Sequence, residues 1–107
     1  MINEVSDKLL EDIKNNIDRT WKDDAADKKL SGIILRGCNR INDICGCEFN
    51  YELENTAKEL LISYVMYALA GALDDWQKNY SQDINRLQLI QEVKAYADRE
   101  AGKQGTV

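Results

Sequence analysis

The residues of this chain whose type and spacing could most readily do chemistry are its cysteines. All three lie within ten residues, in the stretch RGCNRINDICGCEF that begins at Arg36. Cys45 and Cys47 form a C-x-C pair, a spacing that invites comparison with thiolate metal sites. A structural zinc site needs four ligands, and the chain has no histidine and no fourth cysteine. Only Glu48 or a second subunit could complete such a site, so we predict neither a metal nor another cofactor.

The cysteine positions fit a helix better than a redox pair. Cys38 and Cys45 are seven residues apart, which on a helix gives one shared face but an axial separation of about 10 Å. That separation is beyond disulfide reach. We interpret both as small core residues, because free cysteine is among the most buried residue types. Cys47 follows the predicted helix end at Gly46 and should be partly exposed and the first thiol to react with a labelling reagent.

The sequence contains little else that is typical of a catalytic site. The absence of histidine removes the most common general base, and the glycines follow none of the spacings that build a phosphate-binding loop. The acidic pairs Asp23-Asp24 and Asp74-Asp75 are adjacent, so their side chains diverge on a helix and favour caps or solvated surface. We therefore predict that the chain is not an enzyme.

Composition predicts how the elements around these residues are organised. The chain has 107 residues, 44% of them hydrophobic and 31% charged, and no proline, which is typical of one globular helical domain. We predict an all-α fold, a compact bundle of about four helices with a long central helix and a flexible C-terminal tail. The helical domain should cover residues 1–101 and the tail residues 102–107, where two glycines follow the last periodic residue.

The charge balance limits the partners. The net charge is −5, without a cluster of basic residues, so nucleic acid is not expected as a sequence-specific ligand. The first residues lack the basic start and apolar run of a secretory signal, which favours the cytoplasm. The most apolar run, Leu60 to Leu73, has fourteen residues, whereas a bilayer span needs about twenty. We therefore predict no membrane association.

Two amphipathic helices are predicted in the first half of the chain. In the first, apolar residues recur every four positions from Val5 to Ile17, and Ser6 or Asp7 should start the helix. The second should begin at Asp23 or Asp24 and end at Gly46. Its apolar arc, about 140° wide, contains Leu30, Ile33, Ile34, Gly37, Cys38, Ile41, Ile44 and Cys45. Its other side contains Lys29, Arg36, Asn39, Arg40, Asn42 and Asp43.

Two further helices are predicted in the second half. One should run without a break from about Asn55 to Asn79 as the central helix, with small residues from Ala68 to Ala72 that let a neighbour approach closely. The other should be capped by Ser81 and run from Gln82 to about Arg99. Its apolar arc is wider than one core neighbour requires, which indicates a subunit contact. The candidate interface residues are Leu87, Leu89, Ile90, Val93 and Tyr96.

The order of features along residues 5 to 97 resembles a known family. Four features carry the resemblance. The first two are a short first helix that leads to a turn with Trp21, Asp23 and Asp24, and a second helix with Arg36-Gly37 that ends in Gly46. The other two are a loop from Phe49 to Glu54, and a helix with Leu60, Leu61, Tyr64 and Tyr67 that leads to ALDDWQKNY. This pattern resembles the small head-tail connector, or head-completion adaptor, proteins of tailed bacteriophages and prophages. The cysteines are not part of it.

The resemblance implies a structural role in virion assembly. Members of this family are helical, form homo-oligomeric rings beneath the portal protein and make the platform on which tail or stopper proteins dock. Such a ring would assemble in the host cytoplasm and reside at the virion head-tail junction, with DNA passing through it. The terminal segment with Ala101, Gly102, Lys103 and Gln104 would contact the portal.

A second hypothesis comes from a different class of protein. The chain could be a small helical DNA-binding or anti-repressor regulator of a mobile element. Its recognition helix would then expose Lys29, Arg36 and Arg40 on the outer face of the second helix. The acidic balance of the whole chain opposes this reading.

Overall fold

The computed structural model describes residues 4–18 and 23–105, with side chains up to residue 100. The described residues form helices joined by turns and loops, without a strand. The helices are α1 (Asp7–Asn16), α2 (Asp24–Cys45), α3 (Thr56–Leu69), α4 (Leu73–Asn79) and α5 (Ser81–Gly105). The prediction of an all-α bundle is confirmed, with five described helices instead of about four. None of the described helices is both long and apolar enough to cross a bilayer.

The predicted ends of the first two helices are confirmed by their capping contacts. The Ser6 hydroxyl accepts a hydrogen bond from the Leu9 amide at the start of α1, as an N-cap serine should. The Asp23 carboxylate does the same for two amides in the first turn of α2. Gly46 closes α2 in the left-handed region, with φ of 68°. Trp21, which belongs to the predicted turn before α2, lies outside the described residues.

The core lies where α1, α4 and α5 pack on the pair formed by α2 and α3. Gly37 faces α3 so closely that a Cβ placed there would lie 2.7 Å from Cδ1 of Tyr64. α2 and α3 therefore pack closely at Gly37, within the apolar arc predicted for α2. The buried apolar residues are Leu9, Ile13, Leu30, Ile33, Ile34, Cys38, Ile41, Tyr51, Ala57, Leu60, Leu61, Tyr64, Val65, Trp76, Ile84 and Leu87.

The predicted unbroken helix from Asn55 to Asn79 is wrong. α3 ends at Leu69, and Gly71 adopts φ of 69°, which only glycine takes without strain. The Gly71 amide bonds to the Ala68 carbonyl and the Ala72 amide bonds to the Tyr67 carbonyl at 2.8 Å, the two closing bonds of a glycine-terminated helix. The small residues here make a turn, and a Cβ placed at Gly71 would meet no other part of the described chain within 4 Å.

This turn directs α4 back against α3. Trp76 is buried, and its indole N–H donates a hydrogen bond of 2.9 Å to the Ser63 hydroxyl. Ser63 in turn donates to the Leu60 carbonyl. The Tyr64 ring meets the Trp76 indole edge-on, with centroids 5.1 Å apart. The break in the helix thus brings a large aromatic side chain into the core.

Asn42 corrects another expectation, because it was placed on the outer side of α2 but is buried. Its side-chain oxygen accepts hydrogen bonds from the Phe49 amide and the Tyr51 hydroxyl, at 3.2 and 2.7 Å. Tyr51 also lies 3.1 Å from the Cys38 carbonyl. The loop after α2 therefore folds back over the end of that helix, and Asn42 fixes its path.

Two lysines are buried, which the sequence pattern did not indicate. The Lys58 ammonium lies 3.2 Å from the Asp12 carboxylate and 2.8 Å from that of Glu54, so it joins α3 to α1. Lys14 lies 3.1 Å from Asp27 and joins α1 to α2. Because a buried ammonium must be paired, these contacts fix the position of the short first helix.

The last helix is longer than predicted. α5 begins at Ser81 itself, with only Tyr80 between it and the end of α4, and so Ser81 is its first residue and not its cap. The backbone stays helical to Gly105, six residues beyond the predicted end at Arg99. The flexibility of residues 102–107 stays a prediction.

Candidate docking surface

The candidate functional surface lies on α5, which carries apolar residues on two opposite sides. At about 100° per residue, Leu89, Val93 and Tyr96 fall within about 60° of one another. Ile84 and Leu87 lie on the opposite side of the same helix. One apolar side is buried against the rest of the chain and the other faces solvent.

The buried side holds α5 in place. Ile84 and Leu87 are part of the core, and the Gln88 amide donates a hydrogen bond of 2.8 Å to the Ile44 carbonyl near the end of α2. Leu87 was among the predicted interface residues. Its burial within its own chain corrects that assignment, because a residue that packs the core cannot also present itself to a partner.

The outer side forms what we call the α5 stripe, namely Leu89, Ile90, Val93 and Tyr96. These four side chains are between 49% and 61% exposed. A single exposed apolar residue needs no explanation, but four adjacent ones on a helix are typical of a protein contact. The predicted interface residues other than Leu87 are therefore brought together on one solvent-facing surface.

Charged residues border the α5 stripe. Arg86 precedes Leu89 by one turn and Glu100 follows Tyr96 by one turn, so both continue the line of the stripe. Arg99 lies beside its C-terminal end. Arg86 and Arg99 are exposed and make no ion pair within the described part of the chain.

A second exposed apolar surface lies on α3, before the turn at Gly71. We call it the α3 ridge, and it consists of Ile62, Met66 and Leu69; Leu73, the first residue of α4, is exposed beyond the turn. Met66 is 53% exposed, Leu69 and Leu73 are exposed by more than a third, and Ile62 is half-buried. The sequence interpretation missed this surface because it assigned these residues to an unbroken buried helix.

Exposed acidic residues precede the α3 ridge and follow the turn after it. Glu59 precedes Ile62 by one turn and is exposed. Asp74 and Asp75 follow Leu73 in the first turn of α4 and are also exposed. None of the three forms an ion pair with another described residue. Asp74 and Asp75 are thus the solvated surface that was predicted.

The thiols offer no assembled site. Cys38 is buried, whereas Cys45 and Cys47 are half-buried and line an open groove with Lys94 of α5. Burial raises the pKa of all three thiols, that of Cys38 to about 12. In the described part of the chain, no histidine, cysteine, aspartate and glutamate side chains group in a way that could hold a metal ion.

The remaining predicted residues are distributed as follows. Ala101, Gly102, Lys103 and Gln104 continue α5 as helical backbone, and their side chains lie outside the described part. Lys29, Arg36 and Arg40 lie on the exposed side of α2. The Arg40 guanidinium donates to the Gln77 side chain on α4. Part of the basic face needed by a DNA-binding helix is therefore occupied within the chain.

Compared with models of protein families, with curated proteins and with solved structures, the chain matched none.

Proposed function

We propose that this protein is a structural assembly protein, a phage head-tail connector whose copies form a ring beneath the portal protein. The observation that carries the proposal is the α5 stripe, an apolar surface on the side of α5 that faces away from the core. A helix that needs only to pack on its own domain requires one apolar side. The second side is best explained by contact with another protein.

The charge and the exposed surfaces of the chain support a role in assembly more than a role in catalysis. A net charge of −5 disfavours tight binding of DNA that must pass through the ring. The described residues offer exposed apolar surface and no group of metal ligands. A closed ring also needs two different complementary surfaces on each subunit, and the α3 ridge provides a second apolar surface.

The experiment that tests this proposal combines the purified protein with the portal protein encoded by the same genome. Negative-stain microscopy and native mass spectrometry are then used to look for rings, with each protein alone as a control. We expect ring-shaped particles that contain many copies of the chain, alone or on the portal. A protein that stays monomeric and does not bind the portal protein would overturn the proposal.

The same sample separates the connector from a DNA-binding regulator. Retention on a DNA column that weakens steeply with salt would indicate phosphate contacts from Lys29, Arg36 and Arg40. We expect no such retention, because the chain is acidic overall and Arg40 is bonded to Gln77.

A further inference from the structure

We infer that the α5 stripe of one copy packs against the α3 ridge of a neighbouring copy, with the two helices parallel. This inference rests on the proposed function only in requiring that copies of the chain associate. It specifies the partner of the α5 stripe as a different surface of the same chain. Interfaces of this head-to-tail kind close into rings when the rotation between subunits permits.

The first argument is the matched spacing of the two surfaces. The α5 stripe continues the series Arg86, Leu89, Val93, Tyr96 and Glu100, in steps of three and four residues. The α3 ridge continues the series Glu59, Ile62, Met66 and Leu69, in the same steps as Arg86, Leu89, Val93 and Tyr96. Residues repeated in this way form the contact line of two helices that pack side by side. Each surface is therefore shaped to receive a helix of the same kind.

The second argument is the charge at the ends of the two surfaces. A parallel arrangement in register places Glu59 opposite Arg86 of the neighbour, so that opposite charges meet. An antiparallel arrangement would instead place Glu59 beside the neighbour's Glu100, which is repulsive.

The same reasoning disfavours a contact between two copies of the α5 stripe in parallel. Such a contact would pair Arg86 with Arg86 and Glu100 with Glu100, and like charges that face each other oppose association. It would also leave the α3 ridge exposed. An antiparallel contact between two α5 stripes is the competing arrangement that an experiment must distinguish.

The test uses two variants that are each defective in one surface. Leu89→Glu/Val93→Glu changes the α5 stripe, and Met66→Glu/Leu69→Glu changes the α3 ridge. Because the four side chains are exposed, both variants should keep the helix content and melting temperature of the wild type. Sedimentation velocity and native mass spectrometry then report the association of each variant and of their equimolar mixture.

We expect each variant alone to be monomeric, because each retains only one half of the contact. Their mixture should form a complex of one copy of each variant and nothing larger, since one intact α5 stripe can meet one intact α3 ridge. If the Met66→Glu/Leu69→Glu variant associates like the wild type, the α3 ridge is not the partner. A mixture that stays monomeric would also overturn the inference.

A charge exchange tests the orientation separately. Glu59→Arg and Arg86→Glu should each weaken association, by about threefold to tenfold, and the double variant should recover most of the loss. If the losses of association from the two single variants add in the double variant, the parallel arrangement is wrong. A wild type that remains monomeric at its highest soluble concentration would overturn the inference for the free protein. Ring formation on the portal would still leave the proposed function standing in that case.

Discussion

A Cβ atom at Gly37 would lie 2.7 Å from Cδ1 of Tyr64 and 2.9 Å from Cδ1 of Leu61. Real Cβ atoms do not approach other heavy atoms so closely. α2 and α3 form the most extensive helix pair in the described structure, and they can pack at this distance only because residue 37 has no side chain. The position of α3, and with it the α3 ridge, therefore depends on this glycine.

Gly37→Ala should destabilise the protein. The added methyl group must displace Tyr64 or Leu61, and overpacking of this kind costs about 1–3 kcal/mol. The measurement is the free energy of unfolding from urea denaturation. Gly32→Ala is the matched control, because a Cβ there meets only the end of the Arg36 side chain at 3.5 Å. That control should be neutral or gain up to about 1 kcal/mol from helix propensity. Equal effects of the two substitutions would contradict the packing described for Gly37.

Ser63→Ala should also destabilise the protein, by about 1–3 kcal/mol, because it leaves the buried indole N–H of Trp76 without its acceptor. Trp76→Phe removes that donor, so Ser63→Ala should cost much less in the Trp76→Phe background. Urea denaturation of both single variants and the double variant measures this coupling. Costs that add in the double variant would show that the hydrogen bond does not matter.

The three cysteines should react with a maleimide in a fixed order. Thiolate is the reactive form, and burial raises the pKa of Cys38 to about 12. Partial burial also raises the pKa of Cys47, but nearby Lys94 opposes this effect. Cys47 should therefore react first, though more slowly than a free cysteine, then Cys45, and Cys38 only on unfolding.

Peptide mass spectrometry after timed labelling measures this order, and Cys47→Ser is the control that should remove the fastest phase. The rate at Cys47 should still increase as the pH passes its ordinary thiol pKa of 9.0. Labelling of native Cys38 as fast as Cys47 would mean that the end of α2 is open.

Stability should depend on pH through Asp12. Hydrogen bonds from Lys58 and then Lys8 lower the pKa of the Asp12 carboxylate below its ordinary value of 3.8. A depressed folded-state pKa adds stability above the unfolded-state pKa, and this stability is lost as the pH falls through the folded-state pKa. Asp12→Asn should therefore be less stable than the wild type near neutral pH, and the difference should close below pH 3.8.

Urea denaturation over a series of pH values measures this difference. Glu11→Gln is the control, since Glu11 is an exposed neighbour on α1 without an ion pair among the described residues. It should change the stability little at neutral pH. If the difference in the free energy of unfolding between the wild type and Asp12→Asn stays constant down to acidic pH, the ion pair between Asp12 and Lys58 does not contribute to stability.

The parts of the fold that local pattern controls were predictable from sequence. Asp23 and Gly46 mark the ends of α2 through capping chemistry that needs no tertiary information. Gly71 likewise ends α3, but the alanines beside it were interpreted as a site of close helix packing, and so the turn was not predicted. A glycine that follows a long apolar helix and precedes two aspartates was the signal that could have located it.

The parts that depend on contacts between distant segments were not predictable. Helical periodicity places Asn42 toward solvent, and only the return of the loop with Tyr51 buries it. Lys58 is buried because α1 brings Asp12 to it from 46 residues away. The α5 stripe was predictable because an excess of apolar residues on one helix is visible in sequence, whereas the core position of Leu87 was not.

The most direct test of the central claim, that the α5 stripe holds copies of this chain together, is the assembly of the Leu89→Glu/Tyr96→Glu variant. Mass photometry with and without the portal protein compares it with the wild type and with Leu53→Glu, an exposed leucine outside both surfaces. We predict that the wild type and Leu53→Glu form rings. The double variant should stay monomeric, with unchanged circular dichroism and melting temperature. Rings formed by the double variant, or loss of its fold, would contradict the account.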